Sequence, residues 1–229
     1  MTLIHTRSLS ETVDAVNEAT FFGHAISAPD RREVARWIAA RQGAPGAYGQ
    51  LFAGFPSESA SGIRLFTGER VTSASARHIL GEESCRALLL LESDDAMATA
   101  ALNRAMAWII DRVEKAASHA PRNNAGVFCC GKCTVGVWRN ILAGGFDRPD
   151  QRLRLGLAKL HSMRDGRGEW RAFPLWYTVL ALADMDLDEA RTELRYASAR
   201  INAEAKRAAG ASPWAKRRNA LARAAVKRL

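Results

Sequence analysis

Apolar residues at helical spacing run through almost the whole chain, and this pattern constrains the fold more than any other feature of the sequence. In the segment 30–42, for example, Trp37 and Ile38 follow Val34 by three and four residues. Runs of alternating apolar and polar residues are too short to predict a strand. The sequence therefore predicts an all-α protein of packed helix pairs, with about eight helices, over 30–42, 75–93, 94–119, 133–145, 148–163, 173–185, 186–210 and 212–229.

The positive charge of the chain is concentrated at its C-terminal end. The formal charge of all 229 residues is +9, and residues 191–229 contain eleven Lys and Arg against Glu193 and Glu204, which gives +9 for this segment alone. A local basic segment indicates a binding tail rather than a protein whose whole surface attracts nucleic acid. We expect a single helical domain over 1–210 and a basic helix over 211–229.

The basic C-terminal helix offers side chains that suit phosphate groups of nucleic acid or anionic lipid. Trp214, Leu221 and Ala225 share one side of this helix, and no motif that reads bases accompanies them. A solvated terminal helix without a partner is the alternative interpretation. The predicted contacts to nucleic acid or a partner are Lys216, Arg217, Arg218, Arg223, Lys227 and Arg228.

The first 20 residues lack the apolar region of a secretory signal. The purely apolar runs, such as residues 87–91, are far shorter than a membrane span. We therefore expect a cytoplasmic protein that is not an integral membrane protein. In that compartment cysteines are thiols or metal ligands more often than disulfides.

Three of the four cysteines lie together in the stretch "FCCGKC", as Cys129, Cys130 and Cys133. If a helix begins here, its N-terminus and Lys132 both favour thiolates, which can react or can bind zinc or iron. Packing as small apolar side chains is the third interpretation. A closed zinc site needs four ligands, and the candidates to complete it are Cys85, His24, His119 and His161.

Two of the loops between predicted helices are long, and the sequence around them shows a weak internal repeat. Residues 43–62 are rich in Gly, Pro and Ser, and residues 163–173 contain Trp170 and Phe173. The segments 37–52 and 157–173 each lead from a helix through a glycine-containing turn to an aromatic residue. Such an echo is typical of repeated helix pairs.

The segment "MRDGRGEWRAFPLWYTVLALADMD" resembles the repeat of the α/α-toroid proteins, the terpenoid cyclase and protein prenyltransferase group. Asp165, Gly166 and Trp170 match the turn of that repeat, and Thr178, Leu182 and Met185 match its helix. The segment "WIAARQGAPGAYG" is similar to a second copy, with Gln42 and Tyr48 in the family positions, and "GGFDRP" is similar to a prenyltransferase turn. The resemblance covers about a third of the chain and implies part of an α/α toroid.

The catalytic motifs of that family do not carry over to this chain. Residues 184–188, "DMDLD", lack the cyclase pattern D-x-D-D, and no Asp-x-Cys stretch of the prenyltransferase zinc site is present. About eight helices are also fewer than the dozen of a complete toroid, and whether a second chain completes the ring stays open. Whether the protein is an enzyme stays open at this level.

Clustered aromatic residues suit an apolar or isoprenoid-like small molecule, and this is the first function that the sequence predicts. An ordinary aromatic core is the competing interpretation. The stretch 61–73 adds charged groups between two glycines, although it also fits a plain helix connection. The predicted pocket residues are Trp138, Trp170, Phe173, Trp176, Tyr177, Arg64 and Glu69.

Overall fold

The computed structural model describes residues 2–119 and 126–229, and it describes the side chains of 2–115 and 126–229. It confirms the all-α class, whereas the toroid arrangement stays a prediction. Among the described residues, no helix is both long and apolar enough to cross a membrane. The helices are α1 Leu9–Phe22, α2 Ala28–Ala39, α3 Pro56–Ser61, α4 Ser75–Leu91, α5 Ala96–His119, α6 Gly131–Leu142, α7 Pro149–Ser162, α8 Leu175–Asp184, α9 Asp188–Tyr196, α10 Ser198–Lys206 and α11 Pro213–Val226.

The chain divides into two compact units, and the boundary predicted at residue 210 stays a prediction. The first unit comprises Met1–Arg64, Arg70–Lys115 and Arg139–Asp147. The second unit comprises Leu65–Glu69, Ala116–Trp138 and Arg148–Leu229.

In the first unit, α1 and α2 both pack against α4. Helix α1 was not predicted, although Leu9, Val13 and Val16 have the required spacing and all are buried. Its boundaries are also encoded locally, because the Ser8 side chain accepts a hydrogen bond from an amide of the first turn and Gly23 ends the helix with φ of 69°. A two-residue antiparallel pair, β1 Ile63–Arg64 and β2 Arg70–Val71, completes the unit.

The segment 43–62, predicted as a loop, contains the short helix α3, and the buried carboxylate of Glu58 on that helix ties it to the start of α1. Glu58 accepts hydrogen bonds from the amide of Ser10 at 2.7 Å, from the amide of Phe55 at 2.7 Å and from the Ser8 hydroxyl at 2.9 Å. A carboxylate at a helix N-terminus satisfies amides that have no partner within the helix. The loop therefore has a structural role that its composition did not indicate.

In the second unit, α9 packs against α7 and α8, and α11 packs against α8 and α10. The single helix predicted over 186–210 is wrong, because the structure ends α9 at Tyr196 and begins α10 at Ser198. The backbone of Ala197, with φ of −87° and ψ of 5°, leaves helical geometry, and its side chain is fully buried. No Gly or Pro marks this break, so local helix propensity does not predict it.

The loop 163–173 is held by the buried carboxylate of Glu193 on α9. The indole N–H of Trp170 donates to Glu193 Oε2 at 2.8 Å, and the Arg164 guanidinium donates to both carboxylate oxygens at 3.0 and 2.9 Å. His161 Nδ1, at the end of α7, lies 3.0 Å from Glu193 Oε1. Four donor atoms thus converge on a carboxylate that is 2% exposed. This group fixes the path of the loop toward α8.

Both turns that carry the toroid resemblance close in the same way. In the first unit an isolated backbone bridge joins Gln42 to Phe52, and in the second unit a bridge joins Arg164 to Trp170. The Asp165 carboxylate also accepts hydrogen bonds from the amides of Arg167 and Glu169 across its turn. A backbone bridge therefore closes a turn in each unit, and the internal repeat stays a prediction.

Replacing the buried carboxylate should destabilise the second unit. We expect Glu193→Gln to lower the free energy of unfolding by about 3 kcal/mol, because the Arg164 guanidinium loses its buried counter-charge. Glu189→Gln on the same helix removes a half-exposed partner of Arg154 and should change it by less than about 1 kcal/mol. Urea denaturation followed by circular dichroism measures both. Equal effects of the two substitutions would contradict this account.

Candidate functional site

The C-x-x-C segment begins helix α6 in the second unit. Cys130 immediately precedes the first helical residue, and Cys133 is the third residue of the helix. The buried Thr134 closes the entry to the helix, since its hydroxyl accepts from the amide of Phe128 at 2.9 Å and lies 2.8 Å from the carbonyl oxygen of Cys130. The helix start expected from the sequence is therefore present, two residues earlier than the predicted segment 133–145.

Gly131 is required at this helix start by a close approach of the backbone. A Cβ atom at Gly131 would lie 2.2 Å from the carbonyl oxygen of Ala172, which no side chain can accept without a shift of the backbone. Ala172 itself has φ of 67°, an uncommon conformation for a residue other than glycine. The loop 163–173 thus abuts the C-x-x-C turn, and the residue between Cys130 and Lys132 has to be small.

The sulfur atoms of Cys130 and Cys133 lie 3.5 Å apart. Cys133 is fully buried and Cys130 is half-buried, so solvent reaches Cys130 but not Cys133. All four cysteines of the chain are described and all are thiols. From this separation, a small side-chain rotation can bring the two sulfurs to the length of a disulfide bond, about 2.05 Å.

The start of α6 makes Cys130 acidic. In its thiolate form Cys130 accepts a hydrogen bond from the Cys133 thiol, and this contact, with the amides of Cys133 and Lys132 and the Lys132 charge, lowers the pKa of Cys130 to about 5. Partial burial opposes the shift. In the first unit the opposite holds, since burial and then the Glu82 charge raise the pKa of Cys85. Cys130 is therefore deprotonated at neutral pH, and Cys85 is an inert packed thiol.

Cys129 adds a third sulfur to the same turn. It is exposed, its φ is 57°, and its Sγ lies within 4.8 Å of the Sγ of Cys133. A zinc ion with Zn–S bonds of about 2.3 Å separates its sulfur ligands by about 3.8 Å, so this spacing is close to that of a metal site. The second unit thus brings together the cysteines predicted as metal ligands.

The candidates proposed to complete a metal site have separate locations. Cys85 and His24 belong to the first unit, and His161 belongs to the second unit, where it contacts Glu193. The side chain of His119 lies outside the described residues.

Most of the predicted aromatic pocket residues are core residues of the second unit. Trp138 stacks on Phe173 with ring centroids 5.8 Å apart, and both rings are buried. Trp170 and Tyr177 are also buried, whereas Trp176 is partly exposed. The interior of the second unit therefore uses these rings for packing, and an aromatic-lined ligand pocket stays a prediction.

The charged residues predicted for the pocket lie in different units. Arg64 is an exposed residue of β1 in the first unit. The Glu69 carboxylate, in the second unit, accepts hydrogen bonds from the Tyr177 amide at 3.0 Å and from the Thr67 hydroxyl. Because Tyr177 lies in the first turn of α8, Glu69 caps that helix.

A cleft of about 340 Å³ lies between α7 and α9 of the second unit. It contains none of the predicted pocket residues. The charged side chains of its walls pair with one another, since Arg154 contacts Glu189 and His161 contacts Glu193. The lining residues are Arg154, Leu157, Ala158, His161, Asp188, Glu189, Thr192 and Glu193.

The basic helix α11 is an integral part of the second unit, and its cations fall into two classes. Arg217, Arg218 and Arg228 donate hydrogen bonds to the backbone carbonyl oxygens of Phe66, Thr67 and Met185. The other three predicted contact residues, Lys216, Arg223 and Lys227, are exposed. Binding of nucleic acid or a partner through this helix stays a prediction, and the exposed class would carry it.

Comparison of the chain with protein-family models, with curated proteins and with solved structures gives no match. Sequence reasoning found the three cysteines but missed Thr134 and Ala172, which shape their turn. The Thr four residues after Cys130 was a usable signal, because Thr readily bonds to a carbonyl four residues earlier.

The acidity of Cys130 predicts an unusual pH profile for alkylation. Iodoacetamide reacts with thiolates, so the rate at Cys130 should fall as pH drops through about 5 and stay near its maximum at neutral pH. Site-resolved mass spectrometry of briefly alkylated native protein measures this rate. Cys130→Ser should abolish the low-pH reaction. A midpoint near 9, the ordinary value for a thiol, would contradict the assignment.

Proposed function

We propose that the chain is a thiol–disulfide exchange protein, with Cys130 as the nucleophile and Cys133 as the resolving thiol. The observation that carries this proposal is the 3.5 Å separation of the two sulfurs at the start of α6, with Cys130 accessible and Cys133 buried. Such a pair can form a disulfide within one turn of backbone and without a large rearrangement. The substrate class is a disulfide or a dithiol.

The different exposure of the two sulfurs sets the order of events. An external disulfide can reach Cys130, whereas Cys133 is fully buried. The nucleophile must be a thiolate, and the environment of Cys130 keeps it in that form at neutral pH. Burial of Cys133 then protects it from external partners until Cys130 has formed a mixed disulfide.

The reaction balances without a cofactor. The Cys130 thiolate attacks one sulfur of a substrate disulfide, which forms a mixed disulfide and releases the other substrate sulfur as a thiolate. The Cys133 thiol gives its proton to the released substrate thiolate and attacks the Cys130 sulfur, which releases the second substrate thiolate and forms the Cys130–Cys133 disulfide. Two electrons pass from the dithiol to the substrate disulfide, and each step is reversible.

A metal-binding role is the second candidate, and the third sulfur is the observation that favours it. The Sγ atoms of Cys129 and Cys133 lie within 4.8 Å of each other, and Cys130 lies beside Cys133. Bound as thiolates, the three would supply sulfur ligands to a zinc or iron ion. Protein purified under reducing conditions and weighed by native mass spectrometry would then carry the mass of the metal, and Cys133→Ser would lose it.

Replacing the resolving thiol should stop the exchange at its mixed disulfide. With an excess of oxidised glutathione, we expect reduced wild-type protein to form an internal disulfide and Cys133→Ser to accumulate glutathione on Cys130, because the second step is lost. Mass spectrometry of the intact protein and of its peptides distinguishes these products. Cys85→Ser is the matched control, since Cys85 is buried and its substitution should leave the reaction unchanged. Failure of Cys133→Ser to acquire glutathione on Cys130 would overturn the proposed function.

A further inference from the structure

The exchange reaction leaves one sulfur of the turn unused. Cys129 is exposed and directly precedes the nucleophile, and its Sγ lies within 4.8 Å of the Cys133 Sγ. Its positive φ of 57° is uncommon for a residue other than glycine. Cys133 therefore has two sulfur neighbours, Cys130 at 3.5 Å and Cys129 within 4.8 Å.

We propose that Cys129 is a second exchange partner of Cys133, so that the disulfide moves between Cys130–Cys133 and Cys129–Cys133. This inference rests on the proposed function. The buried Cys133 is the central thiol of this relay, and the exposed Cys129 is the position at which the disulfide meets a second substrate, a thiol of a small molecule or of a protein.

The relay step conserves electrons and needs no further reactant. The Cys129 thiol gives its proton to solvent, and the resulting thiolate attacks the Cys133 sulfur of the Cys130–Cys133 disulfide. A bond forms between the sulfurs of Cys129 and Cys133, the bond from Cys133 to Cys130 breaks, and Cys130 leaves as a thiolate. One disulfide and one thiolate are present before and after the step.

The choice of leaving group favours this direction. Thiol–disulfide exchange is faster when the departing thiol has a low pKa. Attack on Cys133 expels Cys130 at the start of α6, where two backbone amides and the charge of Lys132 face its sulfur. The disulfide has then moved to a pair with an exposed member.

The sequence provides a direct assay for the two disulfides. Trypsin cleaves after Lys132, so Cys129 and Cys130 lie in one peptide and Cys133 lies in the next, which ends at Arg139. A disulfide from Cys133 to either neighbour joins the two peptides. The protein is oxidised with excess oxidised glutathione, its remaining thiols are alkylated, and the digest is analysed by mass spectrometry without reduction.

Two single variants separate this inference from the proposed function. Cys130→Ser can join the peptides only through Cys129–Cys133, and Cys129→Ser only through Cys130–Cys133. We expect joined peptides from both single variants. In joined peptides from the wild-type protein, we expect a fraction of the molecules to carry the alkyl group on Cys130. The double variant Cys129→Ser with Cys130→Ser should give none.

Each outcome decides one of the two proposals. Joined peptides from Cys129→Ser but not from Cys130→Ser, with the alkyl group of the wild-type product only on Cys129, would overturn the relay and leave the exchange reaction intact. Loss of joined peptides from Cys129→Ser would overturn the proposed function itself. Alkylated Cys85 in the same digests shows that oxidation was confined to the turn.

Discussion

The second unit depends on the burial of one carboxylate, that of Glu193. A buried charge is tolerated only when counter-charges and hydrogen bonds replace the lost water, and here Arg164, Trp170 and His161 supply them. These donors come from the end of α7 and from the loop 163–173. The carboxylate therefore converts a loop with little apolar periodicity into a defined path across the unit.

That path reaches the thiols through backbone contacts. Trp170 is fixed by Glu193, and two residues later the carbonyl oxygen of Ala172 lies where a Cβ of Gly131 would be. The position of the loop thus dictates a glycine inside the C-x-x-C turn, and the ring of Phe173 also approaches Gly131. The shape of the cysteine turn is in this sense a consequence of packing around a charge on a different helix.

Local patterns predicted most helices of this chain, but helix α1 was missed although its signals are local, and the break between α9 and α10 was not predicted. The helices α4, α5, α7 and α11 follow from apolar spacing alone, because each has an uninterrupted pattern with acceptable ends. The break at Ala197 has no such signal, since neither Gly nor Pro stands at this position. In the site, the spacing of the cysteines gave their proximity, but only the fold shows that Cys133 is buried and Cys130 accessible.

The electrostatics of the turn also favour one direction of the proposed thiol–disulfide exchange. The interactions that stabilise the Cys130 thiolate, from the Cys133 thiol, two amides and Lys132, are lost once Cys130 enters a disulfide. Selective stabilisation of the thiolate therefore favours the dithiol form and makes the Cys130–Cys133 disulfide readily reduced. Under the proposed function, this pair passes its disulfide on to substrate thiols more readily than it acquires one.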